Sequence, residues 1–307
     1  MIWIPVICLF VAVVVMVITV FLNRAFFAHG IKDICMDRMR TADRRFDFYK
    51  DGRTVESDRP SGARGSLWGA VWNEQGEKGI IIFAHGMGNT AAWYLPEILA
   101  FAGMGYEVFA FEYHGYGTGT AGDFCGFPSA AADVEMAIEY ISDGKRPLFL
   151  VGHSMGGYAV CVAAGRTHKP VAGVVAYAPF DRPDEVIAET AKRMRHPRLT
   201  AWAANTAQLI AFGAGSRRGA ADSLNRADVP TLVMQGSSDA EVTPDSCSLY
   251  AHRERVRTPK VTFRLVDADG SNGHMTIVRR QDKPAGVNPD TFPVTAEFIE
   301  SIAEGRE

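Results

Sequence analysis

Short apolar segments and segments with apolar residues at helical spacing alternate along most of the chain. Apolar runs of strand length occupy residues 66–72, 79–84, 106–112, 148–151, 171–178, 231–235 and 261–266. Apolar residues recur at helical spacing in segments 90–104, 129–141, 155–167 and 290–303. Short apolar strands that alternate with helices indicate βαβ units and a mostly parallel sheet, so the predicted fold class is α/β.

The alternation stops between residues 181 and 224, where no strand pattern occurs. This segment carries several basic residues and an alanine-rich helical stretch at 199–212 that contains Trp202. Loops at the carboxyl ends of parallel strands carry the reactive residues, and an insertion at this point would lie over them. A helical cap that acts as a lid and surface helices with no gating role both remain open interpretations.

The first residues form a different pattern, because positions 2–22 are apolar except for Pro5 and Thr19. About 20 helical residues are enough to span a bilayer. A cleaved signal peptide has a basic start and a small-residue cleavage site, and neither occurs here. The segment therefore predicts an uncleaved, single-pass transmembrane helix over residues 1–23, with a cleaved signal peptide as the alternative.

Cationic residues after this segment predict its orientation. Only the α-amino group precedes the segment, whereas the residues that follow it include Arg24, Lys32, Arg38, Arg40, Arg44 and Arg45. The positive-inside rule then places the rest of the chain on the cytoplasmic side of the membrane. The expected organisation is an anchor at 1–23, a linker with edge strands at 24–64, and one α/β domain at 65–307 with a cap insertion at about 181–224.

Composition excludes several classes of function. The chain has 307 residues and a formal net charge of -3, without a basic stripe, so no nucleic-acid partner is expected. Its five cysteines are scattered and form no C-x-x-C pair, which argues against a disulfide framework and a zinc site. Cys161 lies in an apolar helical segment and is expected to pack in the core.

Residues 148–157 read Leu-Phe-Leu-Val-Gly-His-Ser-Met-Gly-Gly, which places the pattern G-x-S-x-G between an apolar strand and a helical segment. In that context the serine lies on a sharp turn that exposes its hydroxyl above the sheet. Gly152 and Gly156 leave room for the strand and the helix to pack closely. Ser154 is therefore the candidate nucleophile, and the alternative is a glycine-rich turn without chemistry.

A serine hydroxyl needs a neighbouring base to act as a nucleophile. His274 follows the last predicted strand and is the best-placed histidine, whereas His153 lies within the turn and is expected to point away from the serine. Asp239 follows the strand at 231–235 and is the candidate that orients the imidazole. The chain order Ser154, Asp239, His274 is the order typical of this motif.

Other side chains compete for the role of the acid. Asp181, which follows the strand at 171–178, is the main alternative. Glu241 is expected to be solvated, and Asp267 and Asp269 are interpreted as acids of an exposed loop.

A pair of backbone N–H groups is needed to stabilise an oxyanion. One is expected from Met155, the residue after the candidate nucleophile. The other is expected from Met87, because the strand at 79–84 runs into His85-Gly86-Met87-Gly88, where glycines let the backbone approach a substrate closely. The alternative for this segment is an ordinary turn at the end of a strand.

These motifs together resemble the α/β-hydrolase superfamily over residues 66–302, and most of all its esterase, lysophospholipase and monoglyceride-lipase-like branch. The resemblance also includes the segment 111–117, although His114 stands where many relatives have arginine, and Thr118 replaces a serine. It implies an eight-stranded, mostly parallel sheet with one antiparallel strand near the start. It also implies that the protein needs no metal and no organic cofactor.

The sequence therefore predicts a serine hydrolase that cleaves carboxylic (acyl) esters through an acyl-enzyme intermediate. The expected partner is a small-molecule or lipid-like ester substrate, approached from a membrane to which the N-terminal helix holds the protein. A peptidase or an acyltransferase with the same three residues is the alternative. A non-catalytic scaffold is a further alternative, which the intact set of Ser154, Asp239 and His274 argues against. Nothing in the pattern specifies an oligomeric state.

Overall fold

The strands and helices of the chain alternate as the sequence pattern predicts. A computed structural model describes residues 3–28, 53–58, 64–116, 126–280 and 286–305. The strands are β1 (Arg53–Asp58), β2 (Arg64–Trp72), β3 (Ile80–Ala84), β4 (Glu107–Glu112), β5 (Leu148–His153), β6 (Gly173–Tyr177), β7 (Thr231–Gly236) and β8 (Val261–Val266). The helices are α1 (Trp3–Ala28), α2 (Leu95–Gly103), α3 (Phe127–Ile141), α4 (Met155–Ala164), α5 (Pro183–Ala191), α6 (Pro197–Phe212), α7 (Ala220–Ala227) and α8 (Phe292–Ala303).

The strands form one sheet in the order β1-β2-β4-β3-β5-β6-β7-β8. Neighbours from β4 to β8 pair in parallel, whereas β2 is antiparallel to both β1 and β4. This arrangement confirms the predicted α/β-hydrolase fold with a mostly parallel sheet. Strand β5 lies between β3 and β6, so the loops after these three strands meet at one edge of the sheet.

Helices cover both faces of the sheet, which explains the almost continuous apolar sequences of the central strands. Every residue of β3, β4, β5, β6 and β7 is buried. One cluster of buried side chains includes helices α3 and α4, and a second, on the other face, includes α2 and α8. Cys161 is buried in the first cluster, as expected from its apolar surroundings.

One predicted helix differs from the structure in a way that proline explains. The segment predicted as a single helix at 90–104 begins as a 3-10 turn, Ala91–Tyr94, and continues as α2 from Leu95. Pro96 has no N–H to donate and is therefore tolerated only in the first turn of an α-helix. The α-helix consequently starts just before Pro96 instead of at residue 90.

The insertion between β6 and β7 is helical and contains α5, α6, a 3-10 helix at Gly213–Arg217, and α7. This cap is attached to the core at its base by the Asp181 carboxylate. The carboxylate accepts the Ala221 N–H at the start of α7 (2.9 Å) and a hydrogen bond from the Arg255 guanidinium (2.9 Å). The segment between β6 and β7 is thus helical, and its bounds at about 181–224 and its role as a mobile lid stay predictions.

The apolar N-terminal stretch forms the helix α1, which packs against α6 of the cap. The Gln208 amide of α6 donates to the Asn23 side-chain oxygen of α1 at 3.0 Å. Among the described residues, no helix combines the length and the apolar character that crossing a bilayer requires. The predicted membrane anchor at 1–23 is therefore not supported.

Several predictions fall outside the described residues. The cationic residues between 32 and 45, on which the predicted cytoplasmic orientation depends, lie outside them, and so does Thr118. The localisation of the protein and the division of the chain at 24–64 stay predictions.

Candidate functional site

Ser154 lies on a strained turn between β5 and α4. Its φ and ψ are 56° and −117°, a conformation that costs a non-glycine residue about 1–3 kcal/mol. The surrounding backbone holds the turn, because the Ser154 N–H donates to the Tyr177 carbonyl oxygen at 2.8 Å. The turn thereby places the serine at the carboxyl end of the central strand and next to the first N–H groups of α4.

The glycines on either side of Ser154 are required by close backbone contacts. A Cβ atom on Gly152 would lie 2.4 Å from the Gly156 carbonyl oxygen. A Cβ atom on Gly156 would lie 2.1 Å from the Ala84 carbonyl oxygen at the end of β3. Both distances are too short for any side chain, so the G-x-S-x-G pattern here reflects the packing of β3, β5 and α4 around the serine.

Three predicted side chains meet at this turn. His274 Nδ1 lies 2.8 Å from Asp239 Oδ2, and His274 Nε2 lies 3.0 Å from Ser154 Oγ. Because a carboxylate only accepts hydrogen bonds, Nδ1 carries the proton, and Nε2 is free to accept the serine hydroxyl proton. The loops after β5, β7 and β8 therefore bring together residues 154, 239 and 274, as the sequence predicted.

The Asp239 carboxylate is buried and fixed by its neighbours. Its Oδ1 atom accepts the N–H groups of Glu241 (2.8 Å) and Val242 (2.9 Å), and its Oδ2 atom accepts the Gln235 amide at 3.1 Å. Burial works to raise the pKa of Asp239, but the hydrogen bond and charge of His274 and these backbone N–H groups hold the pKa below its ordinary value. Asp239 therefore stays ionised and keeps the imidazole in one orientation.

The His274 imidazole has a raised pKa for related reasons. Burial works to lower its pKa, but the hydrogen bond to Asp239 and the charges of Asp239 and Glu241 outweigh it, and Arg193 opposes them. The net shift favours the imidazolium, the form that appears when His274 takes a proton. The site is thus arranged to stabilise a proton on His274 Nε2.

The two predicted N–H donors belong to segments that lie beside the serine turn. Met155 is the first residue of α4, where N–H groups have no acceptor within the helix. Met87 lies in the loop after β3, and that loop contacts the serine turn. A Cβ on Gly86 would lie 3.1 Å from His153 Nδ1, and a Cβ on Gly156 would lie 2.7 Å from the His85 carbonyl oxygen. The structure therefore puts both segments beside Ser154.

The acids considered as alternatives lie in different environments. Asp181 is occupied at the base of the cap by Ala221 and Arg255 and has no contact with His274 among the described hydrogen bonds. Glu241 was expected to be solvated, and its side chain is 57% exposed, yet its Oε2 atom lies 3.6 Å from His274 Nε2. Glu241 is therefore a second carboxylate at the site, on the side of the imidazole that faces Ser154.

His153 has a role that the sequence did not reveal. Its Nε2 atom lies 2.9 Å from the His274 carbonyl oxygen, and its Nδ1 atom lies 2.7 Å from the Tyr94 hydroxyl. Since a carbonyl only accepts, Nε2 carries the proton, and Nδ1 accepts the hydroxyl proton of Tyr94. The Tyr94 oxygen in turn accepts the Gly86 N–H at 3.2 Å. Burial and the nearby His274 lower the pKa of His153 to about 3, so this ring is neutral.

This chain of hydrogen bonds joins the loop after β3, the serine turn and the loop that carries His274. From the sequence, the G-x-S-x-G pattern indicates only that a histidine at its second position has a hydrogen-bond partner, and it does not indicate which residue that partner is. Among the described residues, no group of three or more histidine, cysteine, aspartate or glutamate side chains is placed to hold a metal ion.

Comparisons with known proteins agree with this architecture. The family model described as serine aminopeptidase, S33, matches residues 75–220. A putative monoglyceride lipase of Schizosaccharomyces pombe is 33% identical over 126 residues, which cover 38% of this chain and 33% of that protein. The chain thus matches about a third of the length of this curated relative.

Solved structures match a larger part of the chain. An esterase of Pyrococcus furiosus aligns with a TM-score of 0.60 at 18% identity and covers 84% of this chain and 92% of its own. A thermophilic esterase of Thermogutta terrifontis aligns with a TM-score of 0.57 at 17% identity and covers 82% of this chain and 99% of its own. At these identities the likeness shows the fold. The family match and the related lipase sequence each cover less than half of the chain, and they agree with an α/β-hydrolase fold.

Proposed function

We propose that this protein is a serine hydrolase that cleaves carboxylic esters by way of an acyl-enzyme. The observation that carries the proposal is the continuous series of short contacts from Asp239 through His274 to Ser154, at 2.8 and 3.0 Å. A strained backbone presents the serine at the start of a helix, which is the position a nucleophile of this kind requires.

In the first half of the reaction, Ser154 Oγ attacks the ester carbonyl carbon while His274 Nε2 takes its proton. The C–O bond to the leaving alcohol then breaks, and the imidazolium returns the proton to the alcohol oxygen. Asp239 stabilises the imidazolium and does not itself become protonated, in line with its lowered pKa. The product of this half is an ester between the acyl group and Ser154.

The oxyanion of each tetrahedral intermediate is assigned to the N–H groups of Met87 and Met155. Each such donor contributes about 2.7–4 kcal/mol to the stabilisation of the transition state. In the second half of the reaction, water replaces the alcohol: His274 removes its proton, the hydroxide attacks the acyl carbon, and Ser154 leaves with the proton. The net reaction consumes one ester and one water and releases an acid and an alcohol.

The substrate class proposed is an acyl ester of moderate hydrophobicity. It is supported by the relative named a putative monoglyceride lipase and by the esterases among the similar structures. A steady-state assay of the full chain with p-nitrophenyl esters of graded acyl length tests it. We expect turnover that depends on acyl length in the wild type, and a loss of about 10⁴-fold or more in kcat for Ser154→Ala. Equal rates for both proteins would refute the proposal.

A peptidase is the second candidate, and the description of the matching family model favours it. The two candidates share the proposed nucleophile and base and differ in the leaving group, which is an amine in a peptidase. Aminoacyl-p-nitroanilides and p-nitrophenyl esters assayed side by side separate them. Serine peptidases also cleave activated esters, so the anilides decide: we expect turnover of the esters without measurable turnover of the anilides, and anilide turnover that is lost in Ser154→Ala would establish the peptidase.

A further inference from the structure

Glu97 and Arg279 form an ion pair in the interior of the protein. Arg279 Nη2 lies 2.5 Å from Glu97 Oε2, and Arg279 Nε lies 3.3 Å from Glu97 Oε1. The side chains are only 6% and 4% exposed, and 182 residues separate them along the chain. The guanidinium therefore binds the carboxylate with two donors, in a geometry that fixes both side chains.

The pair is costly to bury, so stability alone does not explain it. Burial raises the pKa of Glu97 to about 7, even though the Arg279 charge and hydrogen bonds act to lower it. Buried ion pairs often add nothing to folding stability compared with apolar side chains of similar volume. Their best-supported use is to fix one arrangement of the segments that carry them.

The two residues belong to the segments that carry the proposed oxyanion donor and the proposed base. Glu97 is in the first turn of α2, which follows the loop of Met87. Arg279 is five residues after His274, in a compact turn. Within that turn the Ile277 N–H donates to the Gly273 oxygen (3.0 Å), and the Arg279 N–H donates to the Met275 oxygen (3.1 Å). A displacement of Arg279 would therefore be transmitted to His274.

Two further contacts join the same segments. The Arg279 guanidinium lies over the Trp93 ring, 4.2 Å from its centroid. The Asn89 amide lies 3.7 Å from Met275 Sδ, next to His274. The ion pair is thus the charged centre of an interface between residues 89–97 and residues 275–279.

We propose that Glu97 and Arg279 are positioning residues, which hold the turn of His274 against the helix that follows the oxyanion loop. This inference rests on the proposed function. Neither side chain touches the reacting atoms, and their effect is exerted through the placement of His274 Nε2 relative to Ser154. Misplacement of a reacting group by about 1 Å can reduce the rate by about 10²-fold.

The test replaces the pair by apolar side chains of similar volume, as Glu97→Leu with Arg279→Met, in the full chain. We expect a thermal midpoint close to that of the wild type, a kcat for ester hydrolysis reduced about 10- to 100-fold, and a KM within about threefold. The rate of inactivation by a fluorophosphonate should fall by the same factor as kcat. The matched control is the exposed pair Lys78 and Glu300 (3.0 Å), replaced as Lys78→Met with Glu300→Leu, which should leave kcat unchanged.

Two outcomes would overturn the inference. One is an unchanged kcat in the double variant with an unchanged thermal midpoint. The other is a lowered thermal midpoint together with a wild-type kcat at a temperature where the double variant is folded, because the pair would then only stabilise the fold.

If the double variant does not fold, Arg279→Lys decides the question. Lysine keeps the charge and loses the two-donor geometry, so kcat should fall, and an unchanged kcat contradicts the proposal. An inactive wild type would refute the proposed function, whereas an active wild type with an equally active double variant refutes only this inference.

Discussion

The two hydrogen bonds of the Tyr94 hydroxyl allow the loss of stability in a Tyr94→Phe variant to be predicted. The hydroxyl donates to His153 Nδ1 at 2.7 Å and accepts the Gly86 N–H at 3.2 Å, and both partners are buried. Tyr94→Phe removes one oxygen and leaves two buried polar groups without this partner. Each such group costs about 1–3 kcal/mol, so the free energy of unfolding should fall by about 2–6 kcal/mol.

Tyr106 provides a matched control. Its ring is also fully buried, but its hydroxyl has no hydrogen-bond partner among the described residues. Tyr106→Phe therefore removes an unpaired polar atom, and the free energy of unfolding should stay the same or rise. Both substitutions remove one hydroxyl from a ring that solvent does not reach, and they differ in the hydrogen bonds that are lost.

The assay is urea denaturation of the full chain, followed by far-ultraviolet circular dichroism, with wild type and both variants measured side by side. The slopes should agree and the midpoint should fall only for Tyr94→Phe, because the folded and unfolded states expose similar surface in all three proteins. Equal midpoints for the two variants, whether both unchanged or both lowered, would refute the contribution assigned to the hydrogen bonds of the Tyr94 hydroxyl.

Four further outcomes are expected at the same site. Asp239→Asn should lower kcat for ester hydrolysis by about 10³–10⁴-fold. Asp181→Asn, at the base of the cap, should lower the urea denaturation midpoint and leave kcat unchanged. The opposite pattern would show that the wrong acid has been assigned. His274 must be neutral to accept a proton and its pKa is raised, so kcat/KM measured against pH should fall on the acid side with a midpoint above the ordinary histidine value of about 6.5. Glu241→Gln removes one of the charges that raise this pKa, so that midpoint should move to lower pH, and a midpoint that stays in place would exclude a role for the Glu241 charge. Gly156→Ala should destabilise the fold by about 1–3 kcal/mol, because the new Cβ atom would lie 2.1 Å from a backbone oxygen of the neighbouring strand; an unchanged urea midpoint would contradict that contact.

The sequence predicted the elements that depend on local pattern. The buried strands from β3 to β7 are short apolar runs, and their residues are recognisable one by one. Ser154, Asp239 and His274 were identified because each follows a strand, and parallel strands bring their carboxyl ends to one edge of the sheet. The position of each residue after its own strand was enough to predict that the three side chains lie close together.

The contacts that hold the site in place were not predictable in the same way. In the sequence, Glu97 is a single acidic residue in an apolar helical segment, and its partner Arg279 is 182 residues away. His153 was expected to point away from the serine, but no local pattern indicates that its ring joins Tyr94 to the His274 carbonyl. Such partners are chosen by the packing of distant segments, which residue spacing along the chain does not encode.

The apolar N-terminal stretch is an example in which local pattern was not sufficient. Its composition correctly indicated a helix, α1, but the predicted bilayer span is not supported among the described residues. Hydropathy reports that a surface avoids water and does not specify what covers that surface. Here α1 contacts the cap helix α6 and Thr19 of α1 is buried, whereas large apolar side chains of α1 such as Ile4, Phe10 and Phe21 are exposed.

Covalent labelling with a fluorophosphonate, followed by mass mapping of the modified peptide, measures whether Ser154 is the nucleophile. We expect a single adduct, located on Ser154. We also expect no adduct in Ser154→Ala and a labelling rate reduced by at least about 10³-fold in His274→Ala, in which the base at 3.0 Å from the serine oxygen is missing. An unlabelled wild type, or an adduct on a different residue, would contradict this assignment.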